Sequence, residues 1–352
     1  MAAGSNPVVS IVVTSFNYER FVGNAIASAL AQSYAPLEVV VVDDGSTDRS
    51  RDIIAGFGDR IRRVFQANAG ETAAAYAGFA AARGDIVIFL DSDDLLRPNA
   101  AAAVVAAWRP GLSALQWQMQ PIDAEGRPFG EIFPRFPFAR TPAGVRAEAL
   151  SCGLYACPPT SGCAYARAFL SRLMPLPTDC FRHGPDGPIN AVAPLYGDVE
   201  TLARPLSFYR MHGRNMWAQS SLRPERFAEY IVVDQKRVAF FRRHAAAMGI
   251  DLPEDLHDRG LFHLQYRMAS LKLRPQTHPV ASDTVMRLLA KAWRAARHSP
   301  DMPASRVAVL VWLAALGLAP LPLAEYLVAL RFVGAERPAL VSATIRYASA
   351  HR

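Results

Sequence analysis

The sequence predicts an α/β fold, a mainly parallel sheet covered by helices on both faces, followed by a helical C-terminal region. Three observations predict it. Strand-like and helix-like segments alternate over the first 120 residues, the signature of strand-helix-strand units. The strands are continuous β-branched runs, as strands buried on both faces require. Polar clusters stand where successive strands end, and a parallel sheet binds its ligands at that edge.

The elements follow in order. Val8 to Thr14 is a β-branched run, and Phe21 to Gln32 then spaces Phe21, Val22, Ala25, Ile26, Ala29 and Leu30 as one helical face. Leu37 to Val42 is a second buried strand. The polar turn Asp43 to Asp48 follows it, with Ser46 expected as N-cap of a helix through Ala55. Ile61 to Phe65 reads as the third strand, Thr72 to Ala82 as an alanine-rich helix, Ile86 to Leu90 as the fourth strand, and a further helix is expected near Pro98.

The strand ends carry the chemistry. Strand one ends in Thr14-Ser15-Phe16-Asn17, strand two in Asp43-Asp44-Gly45-Ser46, and strand four in Asp91-Ser92-Asp93-Asp94. Three acids within four positions repel one another unless something cancels their charge, and a hard divalent cation bearing phosphates does so. A solvated turn capping the next helix is the plainer reading. Neither the G-x-G-x-x-G of a dinucleotide site nor the G-x-x-x-x-G-K-[ST] of a phosphate loop follows strand one. A pyrophosphate is therefore expected on a metal held by carboxylates rather than on a glycine loop.

Length and composition set the outer bounds. The 352 residues, 51% of them apolar, suit two units with full cores. The net charge of +7 lacks the Lys/Arg runs interleaved with aromatics that would point to nucleic acid, and none is expected as a partner. Arginine outweighs lysine, which fits an anionic ligand or an anionic membrane surface. Cys152, Cys157, Cys163 and Cys180 have no zinc-site spacing and are expected as reduced thiols. Met1 to Asn6 is short and polar, so no signal peptide is expected and the cytoplasm is the expected location.

The chain resembles a family 2 glycosyltransferase of the GT-A fold. The resemblance runs from Val8 to Trp217. It rests on T-S-F-N-Y (Thr14 to Tyr18), V-V-V-D-D-G-S-T-D (Val40 to Asp48), N-A-G (Asn68 to Gly70) and F-L-D-S-D-D (Phe89 to Asp94), then P-P-T-S-G (Pro158 to Gly162), A-P-L-Y-G-D-V (Ala193 to Val199) and P-L-S-F-Y-R-M-H-G-R-N (Pro205 to Asn215). It implies a mixed, mainly parallel GT-A sheet in a catalytic domain over 1–217, with 218–352 as the helical region. It implies inverting transfer of a sugar from a nucleotide diphosphate donor, expected to be a UDP-sugar, to a hydroxyl of a saccharide or lipid-linked saccharide in cell-surface polysaccharide synthesis.

The resemblance also assigns residues. Thr14, Phe16 and Asp44 would bracket the nucleotide base, Asp44 accepting the imide N–H of uracil, and Asn17, Asn68 and Ser92 would also bind the donor. Asp91 would reach the ribose or a metal-bound water. Asp93 and His212 would hold Mn2+ or Mg2+, with the imidazole favouring Mn2+. Asp186 is the expected base, 26 residues before His212, with Asp179 as its rival. One departure stands out. Where the family carries an Arg and an Asn after N-x-G, this chain has Ala75 and Tyr76, leaving Arg210, Arg214 or Arg83 to meet the diphosphate charge. A degenerate nucleotide-sugar-binding protein is the alternative that departure raises. A nucleotidyltransferase would want a Gly/Lys/Arg-rich loop where Ser15 to Glu19 stands.

Beyond Trp217 the expected helices are Phe227 to Met248, Leu261 to Leu271 and Val285 to Arg297. From Val307 to Ala324, 18 residues carry no formal charge, but Pro320 and Pro322 interrupt the run. The uninterrupted part spans roughly 20 Å, short of a hydrocarbon core of about 30 Å. A helical hairpin lying on a membrane, packing on the chain itself or pairing two copies is expected in its place.

Overall fold

The structure is a computed structural model that describes residues 6–136, 140–213, 215, 222–299 and 303–333. Arg214, Trp217 and the domain boundary expected at 217 lie outside them. The chain divides into two compact units, one of 1–136, 140–146 and 156–212, the other of 137–139, 147–155 and 213–352.

The first unit holds β1 (Val9–Ser15), α1 (Val22–Leu30), β2 (Leu37–Asp43), α2 (Ser50–Ala55), β3 (Arg62–Phe65), α3 (Glu71–Ala81), β4 (Ile86–Asp91), β5 (Leu95–Leu96), α4 (Ala100–Ala107) and β6 (Leu112–Ile122). It continues with the start of α5 (Pro142–Cys152), β7 (Cys163–Ala166), α6 (Arg167–Leu173), α7 (Asp186–Tyr196) and β8 (Asp198–Arg210). Its strands form one sheet in the order β3-β2-β1-β4-β7-β6-β8-β5. The β3-β2, β2-β1, β1-β4 and β6-β8 pairs are parallel, while β7 runs antiparallel to β4 and β6, and β5 antiparallel to β8. The expected mixed, mainly parallel sheet is present.

Burial on both faces explains why these strands lack alternation. Ile11, Val13, Val39, Val41, Ile88 and Leu90 join a core with Val22 and Ile26 of α1 and Val104 of α4, each such side chain contributing about 1.5–3 kcal/mol. The other face carries Val12, Val40 and Phe89, also buried. There α3 lies so close that a Cβ added at Gly78 would stand 2.2 Å from Val12 Cγ1.

Ser46 is not a helix cap. The helix begins at Ser50 with no side-chain bond at its N-cap, and the Ser46 hydroxyl instead accepts the Asn17 N–H at 2.9 Å. The long β6 and β8 went unpredicted. Gln116 and Gln118 interrupt the apolar run of β6, and β8 contains Pro205 at a register shift, where a sheet tolerates proline. All four cysteines are free thiols.

The second unit contains α8 (Glu225–Ala247), α9 (Leu261–Leu273), α10 (Val285–His298), α11 (Pro303–Leu318) and α12 (Leu321–Phe332). Helix α9 is in contact with each of the other four, and Leu264, Met268, Leu288, Leu313, Leu316 and Val328 meet in its core. Two buried ion clusters accompany that core. Asp234 holds Arg237 at 2.6 Å and His263 at 2.9 Å, and Asp283 holds Arg267 at 2.5 Å. The uncharged run forms the expected hairpin, α11 and α12, broken at Pro320.

Candidate active site

Strand register assembles the site. Thr14 pairs with Asp91 and Ser15 with Asp43, so the polar ends of β1, β2 and β4 lie side by side at the carboxyl edge of the sheet. The loops after them are tied together by backbone donors. Asn17, at φ 57°, gives its N–H to Ser46 and accepts the Thr47 N–H on Oδ1 at 2.8 Å. Asp44 is 2% exposed. Its Oδ1 accepts Gln66 Nε2 at 2.7 Å and Ala69 N at 2.9 Å, and its Oδ2 accepts Gly70 N at 2.8 Å. Gly70 has φ 98°, and a Cβ there would sit 2.6 Å from Arg182 Cγ, so only glycine fits. Phe16 is exposed on this edge and Thr14 is half-buried.

The acidic turn lies next to these loops. Asp91, Asp93 and Asp94 each bring an oxygen to within 4.8 Å of the others. The Asp91 N–H donates to Ser161 Oγ at 3.0 Å, tying P-P-T-S-G to the turn, and Ser92 is buried. Asp94 Oδ1 accepts the Arg210 N–H at 2.9 Å. His212 Nε2 lies 3.0 Å from Asp93 Oδ2, its ring set against Phe21 and the edge of Tyr18, with centroids at 5.0 and 5.8 Å. The structure thus brings together Asp91, Asp93 and His212.

Charge in the site is in excess on the negative side. Burial raises the Asp91 and Asp94 carboxyls well above the ordinary range, and their acidic neighbours raise them further. Burial also lifts Asp186, the first residue of α7, to about 6, against the lowering effect of backbone N–H groups at the helix start. Three carboxylates converging at this distance, with an imidazole beside one of them, form a hard-oxygen donor set with one borderline nitrogen next to it, which fits Mn2+ or Mg2+.

Two residues escaped the sequence reading. Glu71 opens α3, and burial together with Asp186 and Asp93 raises it to about 7, although the Gly184 N–H, donated to its Oε2 at 3.1 Å, works the other way. An acid in a first helical turn reads as dipole complement, so nothing marked it. Arg182 donates to Asn68 Oδ1 at 2.6 Å, and its carbonyl accepts the Thr72 N–H at 3.3 Å. Its place between turn residues hid it.

The expected diphosphate cations are placed otherwise. Arg210 is 2% exposed and engaged with the carbonyls of Asp93, Asp123 and Ala124. Arg83 belongs to the opposite edge, where its N–H binds Glu38 and the next N–H, of Gly84, binds Ser10. Arg214 lies outside the described residues. Asp179 is exposed, and Asp186 is the one of the two rivals whose charge reaches Glu71 and Asp91.

Comparison with known proteins places this geometry. Residues 10–141 match the family described as Glycosyl transferase family 2. An uncharacterized glycosyltransferase of Nostoc sp. is 35% identical over 213 residues, 59% of this chain and 66% of that protein. An uncharacterized glycosyltransferase of Haemophilus influenzae is 40% identical over 94 residues, 26% of this chain and 38% of that protein. The chain thus spans less than two thirds of either relative's length. Among solved structures, a Pyrobaculum calidifontis mannosyltransferase in complex with GDP-Man and Mn2+ superposes with a TM-score of 0.53 at 19% identity, covering 98% of this chain and 88% of that one. S. aureus TarS 1-349 in complex with UDP-GlcNAc gives 0.50 at 17% identity, covering 96% and 91%. At those identities the likeness establishes the fold, which is GT-A.

Proposed function

We propose that this chain, whose residues 10–141 match the family described as Glycosyl transferase family 2, is an inverting, metal-dependent glycosyltransferase of that family using a UDP-sugar. The observation that carries the reading is the meeting of Asp91, Asp93 and Asp94 within 4.8 Å, with His212 3.0 Å from Asp93. Asp93 and His212 would hold the cation, Mn2+ or Mg2+, and Asp91 would reach the ribose, with Ser92 beside it on the donor. A bound cation stabilises negative charge developing on the departing diphosphate.

The other residues take up nucleoside and acceptor. Phe16 offers an exposed ring to the base, with Thr14, Asn17 and Asn68 around it. Asp44 Oδ2 already holds one donor and keeps a lone pair for the imide N–H. Asp186 takes the proton from the attacking hydroxyl. A group at about 6 is ionised at neutral pH yet basic enough to accept it. The acceptor is a saccharide, free or lipid-linked, in cell-surface polysaccharide assembly inside the cell. UDP-GlcNAc and GDP-Man in the two fold neighbours support a nucleotide-sugar donor.

The alternative is a nucleotide-sugar-binding protein without turnover. Ala75, buried at 1% exposure, favours it by leaving the diphosphate one cation short. Calorimetry of UDP-sugars with Mn2+ and with EDTA, on wild type and Asp93→Asn, tests the site. Wild type should bind far more tightly with Mn2+, and Asp93→Asn should lose that difference while remaining folded. Unchanged metal-dependent affinity in the variant sinks the metal assignment. Metal-dependent binding without UDP release, whatever saccharide acceptor is added, favours the non-catalytic alternative.

A further inference from the structure

Three helices of the second unit leave an apolar surface in water. On α11, Ala304, Val307, Ala308, Val311, Ala315 and Leu318 are all exposed, spaced as one helical stripe without a polar residue. Val311 is 62% and Leu318 79% exposed. The stripe continues into Leu321, Leu323 and Tyr326 of α12, all exposed. The opposite side of α11, Leu313 and Leu316, is spent on the core with α9. Solvated helices of globular units carry charge on their outer face, and this one carries none.

The neighbouring helix supplies the charge. Helix α10 packs on both α9 and α11 and exposes Trp293 at 61% beside the exposed Arg294 and Arg297. Among the described residues, Arg287, Arg294 and Arg297 meet no carboxylate. Arg294 and Arg297 also line a recess of 240 Å³ with Arg259 and Lys291, whose charges are met there by Asp255 and Asp258, so the arginines of α10 carry the net positive charge at its rim. Across residues 285–333 six basic residues (Arg287, Lys291, Arg294, Arg297, Arg306, Arg331) face two acids, Asp301 and Glu325.

We propose that the outward faces of α10, α11 and α12 bind flat on an anionic bilayer, with the α11 stripe and the α11–α12 turn entering the headgroup boundary and the arginines meeting lipid phosphates. No helix among the described residues is long and apolar enough to cross a membrane; the 16 residues of α11 span about 24 Å. An in-plane helix needs only one apolar face, an aromatic at the polar boundary and cations beside it. A second copy of the chain fits less well, because a two-fold contact through this face sets the arginine rim against itself.

Vesicle co-sedimentation of the full chain tests the proposal, with phosphatidylcholine alone and with about one third phosphatidylglycerol, at low and high salt. Wild type should sediment with the anionic vesicles at low salt and be released by salt. Val311→Asp with Leu318→Asp should lose binding at least tenfold. Arg294→Glu with Arg297→Glu should lose the anionic preference, about fivefold or more per residue. All four positions are exposed, so thermal midpoints should hold, and UDP-sugar affinity should stay at the wild-type value, which keeps this test separate from that of glycosyl transfer. Wild type remaining in the supernatant with both vesicle types overturns the proposal, as does wild-type sedimentation of the Val311/Leu318 variant. So does a light-scattering dimer that the same variant dissociates without any vesicle binding.

Discussion

Asp186 stands between two demands, since a base must be ionised to work but poorly solvated to want a proton. With its carboxyl near 6 and Glu71 near 7, turnover should rise with pH through this range and level above it. Asp186→Asn should retain donor binding and lose roughly 100-fold to 10,000-fold in turnover. Glu71→Gln, whose amide oxygen can still accept the Gly184 N–H, should leave a limb near 6. A pH–rate profile flattened by Glu71→Gln, with near-wild-type rates in Asp186→Asn, would transfer the base to Glu71. At this scale the sequence is legible where chemistry forces spacing. Asp91, Asp93 and His212 could be named because motif order fixes them, 119 residues apart in the case of Asp93 and His212. Asp44 shows the limit, since the three internal donors that hold its carboxylate in place could not be foreseen from its neighbours in sequence. Backbone donors leave no mark on side-chain pattern.

Helix α3 carries the departure at Ala75, and its packing is where the element is most tightly specified. The Val12 Cγ1 that a Cβ at Gly78 would meet belongs to a buried β-branched side chain on a central strand, and the same Cβ would stand 3.0 Å from Val42 Cγ2. Gly78→Ala should therefore cost about 1–3 kcal/mol despite the better helix propensity of alanine. The thermal midpoint should drop by about 2–10 °C, and a midpoint within a degree of wild type would refute the close packing. The elements that could be read in advance, β1 to β4 with their helices, are those whose burial is local and continuous. Strand β6 could not be read, because its polar positions are satisfied from far away, as when Gln116 donates to Thr201 at 3.0 Å. Trp117 likewise donates to Ser207 at 2.9 Å.

Each unit sets its own pH limit on the molecule. In the second, His263 and Arg237 hold Asp234 low, outweighing burial, and His278 and Arg267 do the same for Asp283. A depressed carboxyl contributes stability above its unfolded value, so this contribution fades as pH falls below about 4. In the first, Asp91, Asp94, Glu71 and Asp186 are raised. Folded groups of that kind bind protons the unfolded chain has already lost, and stability falls as pH climbs from about 4 through 7. In EDTA the thermal midpoint should peak near about pH 5 and decline toward 7.5, and Mn2+ should raise it at 7.5 far more than at 5. A metal shift equal at both values would dissociate the cation from these carboxylates. The ends of the sheet have a different consequence. Its outermost strands are the four-residue β3, which bears Arg62 and Arg63, and the two-residue β5. A passing chain finds there too few free backbone groups, and at β3 too much charge, to add itself as a further strand. Crowded copies of the protein are thereby denied the backbone route into fibrous aggregates.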